Sequence, residues 1–196
     1  LLAEELANAD QRLFLWINGF VGTVPFLDRV AQWVVSDYLV PVSLALALIA
    51  LWFIEPDRVA RQRHQIGVFA ALTAMALASL SVFWLNALYF RPRPFETLDV
   101  ELLFYQPTDS SFPSNAAAAV FGIAAVVWSV NRGLGAALLI ASGLYSVARV
   151  YVGVHYPLDV IAGALIGIVV AFLVLKLRNL IMPLLVWVIK AVRIIC

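Results

Sequence analysis

Apolar stretches long enough to cross a bilayer constrain the fold of this chain more than any other feature. A membrane-spanning helix needs about 20 predominantly apolar residues. Five stretches reach or approach that length, over residues 30–54, 66–90, 114–130, 133–152 and 157–177. Hydrophobic residues make up 64% of the chain and charged residues 13%, whereas soluble domains have about 45–50% and about 25%. The sequence therefore predicts an all-α integral membrane protein, a bundle of five to six transmembrane helices.

The N-terminal end is less apolar. Residues 7–20 mix aromatic and aliphatic side chains with Asp10 and Arg12, a composition typical of an amphipathic helix in the membrane interface. We therefore expect an interfacial helical segment over residues 1–25, followed by a five-helix core over residues 30–177.

The C-terminal end is also interrupted by polar residues. The stretch 180–195 contains Pro183, and Lys190 and Arg193 break its second half. We interpret it as an in-plane helix rather than as a short sixth span. Together these assignments predict a single membrane-embedded domain over residues 1–196.

Positive charge is concentrated in the connections that alternating spans place on one face. These connections carry Arg58, Arg61, Arg63, Arg132, Lys176 and Arg178. An excess of Lys and Arg marks the cytoplasmic face. The loop 91–113 and the turn 153–156 lie on the opposite face, which we expect to look toward the periplasm or the cell exterior.

The remaining composition excludes several kinds of partner. The formal net charge is +1 and no basic stripe is present, so the sequence gives no sign of a nucleic-acid partner. The two histidines, His64 and His155, and the single Cys196 leave no ligand set for a zinc site. We expect neither a metal nor another cofactor, and the oligomeric state is left open.

Three ionisable residues, Arg149, His155 and Asp159, stand where the fourth apolar stretch meets the fifth. Ionisable residues within a membrane segment are functional candidates by default. A histidine can attack a substrate or transfer a proton, an aspartate can orient it, and an arginine can hold an oxyanion. The alternative is a capping role for Asp159 and an interfacial position for His155, but a buried arginine is unfavourable without an anionic partner.

Two further polar clusters lie on the same predicted face. Arg91 and Arg93 alternate with prolines that hold the backbone extended, an arrangement suited to bidentate phosphate binding, with snorkelling as the alternative. Ser114 and Asn115 open the third stretch, where a helix N-terminus binds phosphate oxygens or is simply capped. The three clusters together favour metal-independent transfer of a phosphoryl group through a histidine.

These clusters resemble the three signature motifs of the type 2 phosphatidic acid phosphatase superfamily, which includes vanadium haloperoxidases. The family pattern reads Lys-x6-Arg-Pro, Pro-Ser-Gly-His and Ser-Arg-x5-His-x3-Asp. The similarity spans residues 86–159, and the third motif matches most fully. The run Val-Gly-Val-His-Tyr-Pro-Leu-Asp-Val over residues 152–160 is most similar to the bacitracin-resistance undecaprenyl-diphosphate phosphatases.

The resemblance implies a role for each matching residue. His155 would be the nucleophile, oriented by Asp159. Arg93, Ser114 and Arg149 would hold the phosphate, with Asn115 beside Ser114 at the same helix N-terminus.

Three of the departures from the family pattern concern residues with side-chain roles in the motifs. Asn86 stands where the family has lysine, so that phosphate contact is weakened or is replaced by Arg91. Ala148 replaces the usual serine of the third motif. Ala116 stands where the second motif has the histidine proposed as general acid, and alanine cannot transfer a proton. Either the natural protein lacks this acid or the chain is a deliberately inactivated variant, and the intact surroundings favour the second.

The resemblance implies a multi-pass phosphatase of the bacterial inner (plasma) membrane with an outward-facing site. The substrate would be undecaprenyl diphosphate, cleaved to undecaprenyl phosphate and phosphate through a phosphohistidine, and the partners would be this polyprenyl lipid and the bilayer. Phosphatidylglycerophosphate, phosphatidate or another glycerolipid phosphate, or a lipid A phosphate, are the alternative substrates. A non-catalytic lipid-phosphate binder or translocator is the alternative that Ala116 favours.

Overall fold

The computed structural model describes residues 2–36 and 38–195, and the side chains from residue 4 to residue 177 apart from residue 37. The regular secondary structure of these residues is helical. The helices are α1 (Leu2–Asn18), α2 (Pro25–Val35), α3 (Leu39–Phe53), α4 (Arg58–Leu88), α5 (Pro94–Thr97), α6 (Asn115–Val130), α7 (Arg132–Tyr151) and α8 (Pro157–Ile195).

The predicted all-α membrane fold is confirmed. Among the described residues, α4, α7 and the stretch Pro157–Leu177 of α8 are long and apolar enough to cross a membrane, and a bent pair of helices adds a fourth candidate. The predicted third span corresponds to α6, which has only 16 residues and therefore rises about 24 Å. The interpretation of residues 180–195 as in-plane falls on residues whose side chains lie outside the described part.

The main difference from the predicted helices lies in the first span. Residues 30–54 do not form one helix, because α2 and α3 bend by 49° at the break between them. The Ser36 hydroxyl donates to the Trp33 carbonyl and accepts from the Leu39 amide. Both backbone groups would bond to other backbone groups in a continuous helix. Pro41 has no N–H to donate, so it is tolerated in the first turn of α3 and would disrupt a helix that ran through it.

Helix α6 lies at the centre of the bundle and contacts α4, α7 and α8. Its contact with α8 is close because glycines face it. A Cβ added at Gly163 would lie 2.3 Å from the Ser114 carbonyl oxygen, and one added at Gly167 would lie 2.3 Å from that of Ala118. Small residues let membrane helices approach in this way, and here they bring the first turn of α8 to the first turn of α6.

Helix α1 packs against α7 and α8 rather than standing apart. Its inner face consists of Asp10, Phe14 and Asn18, which are buried, while Trp16 and Leu13 are exposed. Asn18 donates one hydrogen bond to the Tyr151 carbonyl at the end of α7 and another to the Glu101 carbonyl in the loop between α5 and α6. The N-terminal segment therefore covers the end of the bundle where the polar motifs meet.

Candidate active site

The turn between α7 and α8 places His155 at this end of the bundle. Helix α7 stops at Tyr151, and Gly153 adopts a φ of +92°, a conformation that favours glycine. A side chain at Gly153 would also meet the Glu101 carbonyl at 3.0 Å. Pro157 then starts α8, where proline suits the first helical turn. His155 is held between these points and is 2% exposed.

The imidazole of His155 contacts three groups. Its Nδ1 lies 3.0 Å from the Ser111 carbonyl oxygen, which can only accept, so Nδ1 carries the proton and Nε2 does not. Nε2 faces the Ser114 hydroxyl at 3.2 Å and the Arg93 guanidinium at 3.4 Å. This tautomer leaves Nε2 with a free lone pair directed at two phosphate-binding candidates.

The environment of His155 also keeps the ring neutral. Burial lowers the pKa of His155 to about 4, the guanidinium groups of Arg149 and Arg93 act in the same direction, and the Asp159 carboxylate opposes them. A neutral imidazole at pH 7 is the form that can attack phosphorus.

Asp159 is fully buried in the first turn of α8. It accepts hydrogen bonds from the Ser111 hydroxyl at 2.5 Å, from the Tyr156 amide at 2.8 Å and from Arg91. Its nearest contact with His155 is 3.7 Å, between Oδ2 and Nδ1, longer than a hydrogen bond. Asp159 and His155 are therefore linked mainly through Ser111, which binds the carboxylate with its hydroxyl and the imidazole with its carbonyl.

Arg93 projects into the site from the start of α5 and is 2% exposed. Its guanidinium donates to the Val154 carbonyl and to the backbone and side-chain oxygens of Asp109. The Asp109 side chain is itself 63% exposed. Arg93 is thus fixed beside the His155 turn with one exposed carboxylate as its anionic partner.

Arg149 has a different environment. It is 6% exposed, its guanidinium donates to the Tyr145 hydroxyl at 3.0 Å, and its Nε has no hydrogen-bond partner among the described residues. The Phe104 ring lies 5.6 Å away. No acidic side chain of the described residues pairs with this cation. A buried guanidinium of this kind is strongly stabilised by an anion.

The second motif forms the N-terminus of α6. Ser114 caps this helix by accepting from the Ala117 amide, and its own amide donates to the Asp159 carbonyl. Asn115 is exposed, and Ala116 is half-buried against the central core. Asn86, in the last turn of α4, has a buried side-chain oxygen without a partner. The structure thus brings Arg93, Ser114, His155 and Asp159 into one connected site, whereas the side chain of Asn115 points to solvent.

Among the described residues, no group of three His, Cys, Asp or Glu side chains is arranged to hold a metal ion. The guanidinium groups of the site and the N-terminus of α6 are groups that can bind an anion.

Comparison with known proteins identifies the family of the chain. The PAP2 superfamily matches residues 67–183, which is more than half of the chain. The chain belongs to the PAP2 superfamily. The predicted resemblance, including the similarity to the bacitracin-resistance undecaprenyl-diphosphate phosphatases, is confirmed.

Three similar proteins span most of this PAP2 chain. Undecaprenyl-diphosphatase BcrC of Bacillus subtilis (strain 168) is 29% identical over 87% of this chain and 85% of its own length. Bacitracin transport permease protein BcrC of Bacillus licheniformis is 29% identical over 82% and 76%. The crystal structure of Aquifex aeolicus LpxE has a TM-score of 0.64 and 32% identity, covering 84% of this chain and 93% of the other.

Sequence reasoning missed two residues of the PAP2 site. Ser111 lies three residues before Ser114 of the second motif, and its neighbours in the sequence give no sign that both its hydroxyl and its carbonyl face the site. Asp10 was read only as part of an amphipathic helix. Asp10, Phe14 and Asn18 are four residues apart and therefore lie on one helix face. An acid on the same face as an aromatic residue was the sequence feature that could have indicated a buried role for Asp10.

Proposed function

We propose that the chain is a lipid diphosphate phosphatase that releases phosphate from undecaprenyl diphosphate through a phosphohistidine at His155. The observation that carries the proposal is the unprotonated Nε2 of a buried His155, which faces Ser114 and Arg93 within 3.4 Å. Undecaprenyl diphosphate is chosen because a relative of nearly full-length coverage bears the name undecaprenyl-diphosphatase.

The geometry supports the following steps. Arg93, Arg149 and the N-terminus of α6 bind the terminal phosphate and neutralise its oxygens. Nε2 of His155 forms a bond to phosphorus while the bond from phosphorus to the bridging oxygen breaks, and undecaprenyl phosphate leaves with the electron pair. Water then attacks the phosphohistidine, which releases inorganic phosphate and restores the imidazole. No step requires a metal ion.

Ala116 limits the first step, because the leaving oxygen has no side-chain acid at this position. A diphosphate tolerates this better than a monophosphate, since it expels a phosphate rather than a basic alkoxide. We further propose that Ala116 replaces a histidine in an otherwise intact site. The codon at position 116 in the source gene checks this directly.

A second candidate function is lipid-phosphate translocation without hydrolysis. Two observations favour it: the absence of the acid at Ala116, and the name of the Bacillus licheniformis relative, a bacitracin transport permease protein. The same pocket could then bind a lipid phosphate group and release it unchanged. Phosphatidylglycerophosphate, phosphatidate and lipid A phosphates remain the alternative substrates for a phosphatase.

The deciding experiment restores the acid. Ala116→His should raise phosphate release in detergent by about 10²–10⁴-fold, and more for a lipid monophosphate than for undecaprenyl diphosphate. Adding His155→Ala to that variant should abolish the gain, because the nucleophile is lost. Ala119→His, the same substitution at another half-buried alanine of α6, is the matched control. If Ala116→His changes nothing on either lipid while lipid binding persists, translocation or binding replaces hydrolysis as the function.

A further inference from the structure

We infer that Asp10 and Arg91 form a positioning pair that fixes Asp159, so that helix α1 holds the His155 turn in its reactive geometry. The inference rests on the proposed function, because it assigns these residues to the same hydrolytic site. It gives the N-terminal helix a role in the chemistry, and it gives Arg91 a role other than contact with phosphate.

Asp10 uses each of its two carboxylate oxygens. Oδ2 accepts from the Arg91 guanidinium at 2.7 Å, and Oδ1 accepts from the Leu158 amide in the first turn of α8 at 2.9 Å. Asp10 is 4% exposed. A buried carboxylate with both oxygens bound is fixed in place, and here it joins three segments that are far apart in the sequence.

Arg91 is held on three sides. One terminal nitrogen donates to Asp10 and the other to Asp159, at 2.7 Å and 2.5 Å, while the guanidinium lies 4.0 Å from the centre of the Tyr156 ring. Two carboxylates outweigh one guanidinium, so the cluster has a formal charge of −1. These carboxylates occupy both terminal nitrogens of Arg91, whereas Arg149 has an open Nε.

Asp10 also binds a backbone amide at the start of α8. The first amides of a helix have no partners within it, and here Asp10 binds the Leu158 amide while Asp159 binds the Tyr156 amide. His155 directly precedes these residues. Loss of Asp10 would therefore remove one restraint from Arg91 and one from the first turn of α8, so that Asp159 would be held less tightly beside His155.

The test compares Asp10→Asn, Arg91→Gln and the double variant, with Asp28→Asn as the matched control. Asp28 is also a carboxylate that joins helices, since it binds the Tyr151 hydroxyl and the Gly22 amide, but it has no contact with Asp159. Asp10→Asn should lower kcat for undecaprenyl diphosphate by about 10-fold to 100-fold, the range of a hydrogen bond to a charged group. KM should change by less than about threefold, and Asp28→Asn should leave kcat unchanged.

Coupling is the second readout. Because Asp10 acts partly through Arg91 and partly through the Leu158 amide, the double variant should lose less activity than the product of the two single losses. Independent, multiplying losses would overturn the inference. So would an unchanged kcat in Asp10→Asn, or an Arg91→Gln variant in which KM rises while kcat is preserved, because that pattern marks a phosphate ligand.

A third readout does not depend on turnover. The chain has two histidines, so ¹⁵N-histidine NMR in detergent gives two ring systems, and His155→Ala assigns them. The His155 signals should shift in Asp10→Asn and Arg91→Gln but not in Asp28→Asn. Unshifted signals overturn the positioning role. Absent phosphate release from both the parent chain and Ala116→His overturns the proposed function instead.

Discussion

His155 shows how one residue acquires its chemistry from its surroundings. The carbonyl of Ser111 selects the tautomer, and burial keeps the ring uncharged. Ser114 and Arg93 then face the free Nε2. A histidine in water would be partly protonated near pH 6.5 and would attack less well. The site thus keeps the candidate nucleophile neutral over a wide pH range.

This burial predicts a specific dependence of stability on pH. The pKa of His155 in the folded protein, about 4, lies below the ordinary histidine value of 6.5, so the unfolded chain binds the proton first as pH falls. The contribution of His155 to the free energy of unfolding is fully present above pH 6.5. It is lost progressively as pH falls from 6.5 to 4, by about 3 kcal/mol in total. Unfolding in detergent at pH 7 and pH 5 should show this loss in the parent chain and much less of it in His155→Ala. His64→Ala is the control for loss of the other histidine, and equal pH dependence in the parent chain and His155→Ala would contradict the prediction.

At the scale of helices, the contact between α6 and α8 determines whether the motifs can meet. Gly163 approaches the Ser114 carbonyl and Gly167 approaches the Ala118 carbonyl. The Ser114 amide donates to the Asp159 carbonyl across the same interface. Backbone contact at this end of the two helices therefore sets the distance between the second and third motifs.

We expect Gly163→Ala to separate these helices. The added methyl group would overlap the Ser114 carbonyl, so it should destabilise the protein by about 1–3 kcal/mol, as overpacking typically does. Phosphate release should fall at the same time because Ser114 moves. Gly143→Ala in α7, where an added Cβ meets nothing within 4 Å, is the matched control for losing a glycine in a helix. Equal stability and activity in the two variants would show that the close approach is not required.

At the scale of the whole molecule, the two ends of the bundle differ in chemistry. One end carries the loop after α4 and the turn before α8, with the connected site between them. The opposite end carries the start of α4, with Arg58, Arg61 and Arg63 in its first two turns. In a bilayer this charge bias predicts that the arginine-rich end is cytoplasmic and that the site faces outward.

Cysteine labelling in intact cells tests this orientation. In a Cys196→Ser background, a membrane-impermeant thiol reagent should label Asp99→Cys but not Val59→Cys. Both positions are exposed and lie at opposite ends of α4 and its flanking loops. Cells opened with detergent should label both, which controls for accessibility. Labelling of Val59→Cys alone in intact cells would reverse the topology and place the site in the cytoplasm.

The sequence by itself determined the membrane fold and the superfamily. Hydrophobic length predicts helices from local composition alone, and the spacing of Arg149, His155 and Asp159 is a local pattern within one helix–turn–helix segment. The break within the first predicted span also has a local cause, since Ser36 and Pro41 interrupt an otherwise continuous apolar stretch.

Only the tertiary structure decided which groups hold the candidate nucleophile. The Ser111 carbonyl on Nδ1 of His155, the two carboxylates on Arg91 and the reach of Asp10 to the start of α8 all join residues 44 to 148 positions apart. Such contacts leave no periodic trace in a sequence, because they depend on how closely helices pack. Here the close packing depends on Gly163 and Gly167 between α6 and α8. Asp10, on the buried face of α1, then joins α1 to the start of α8.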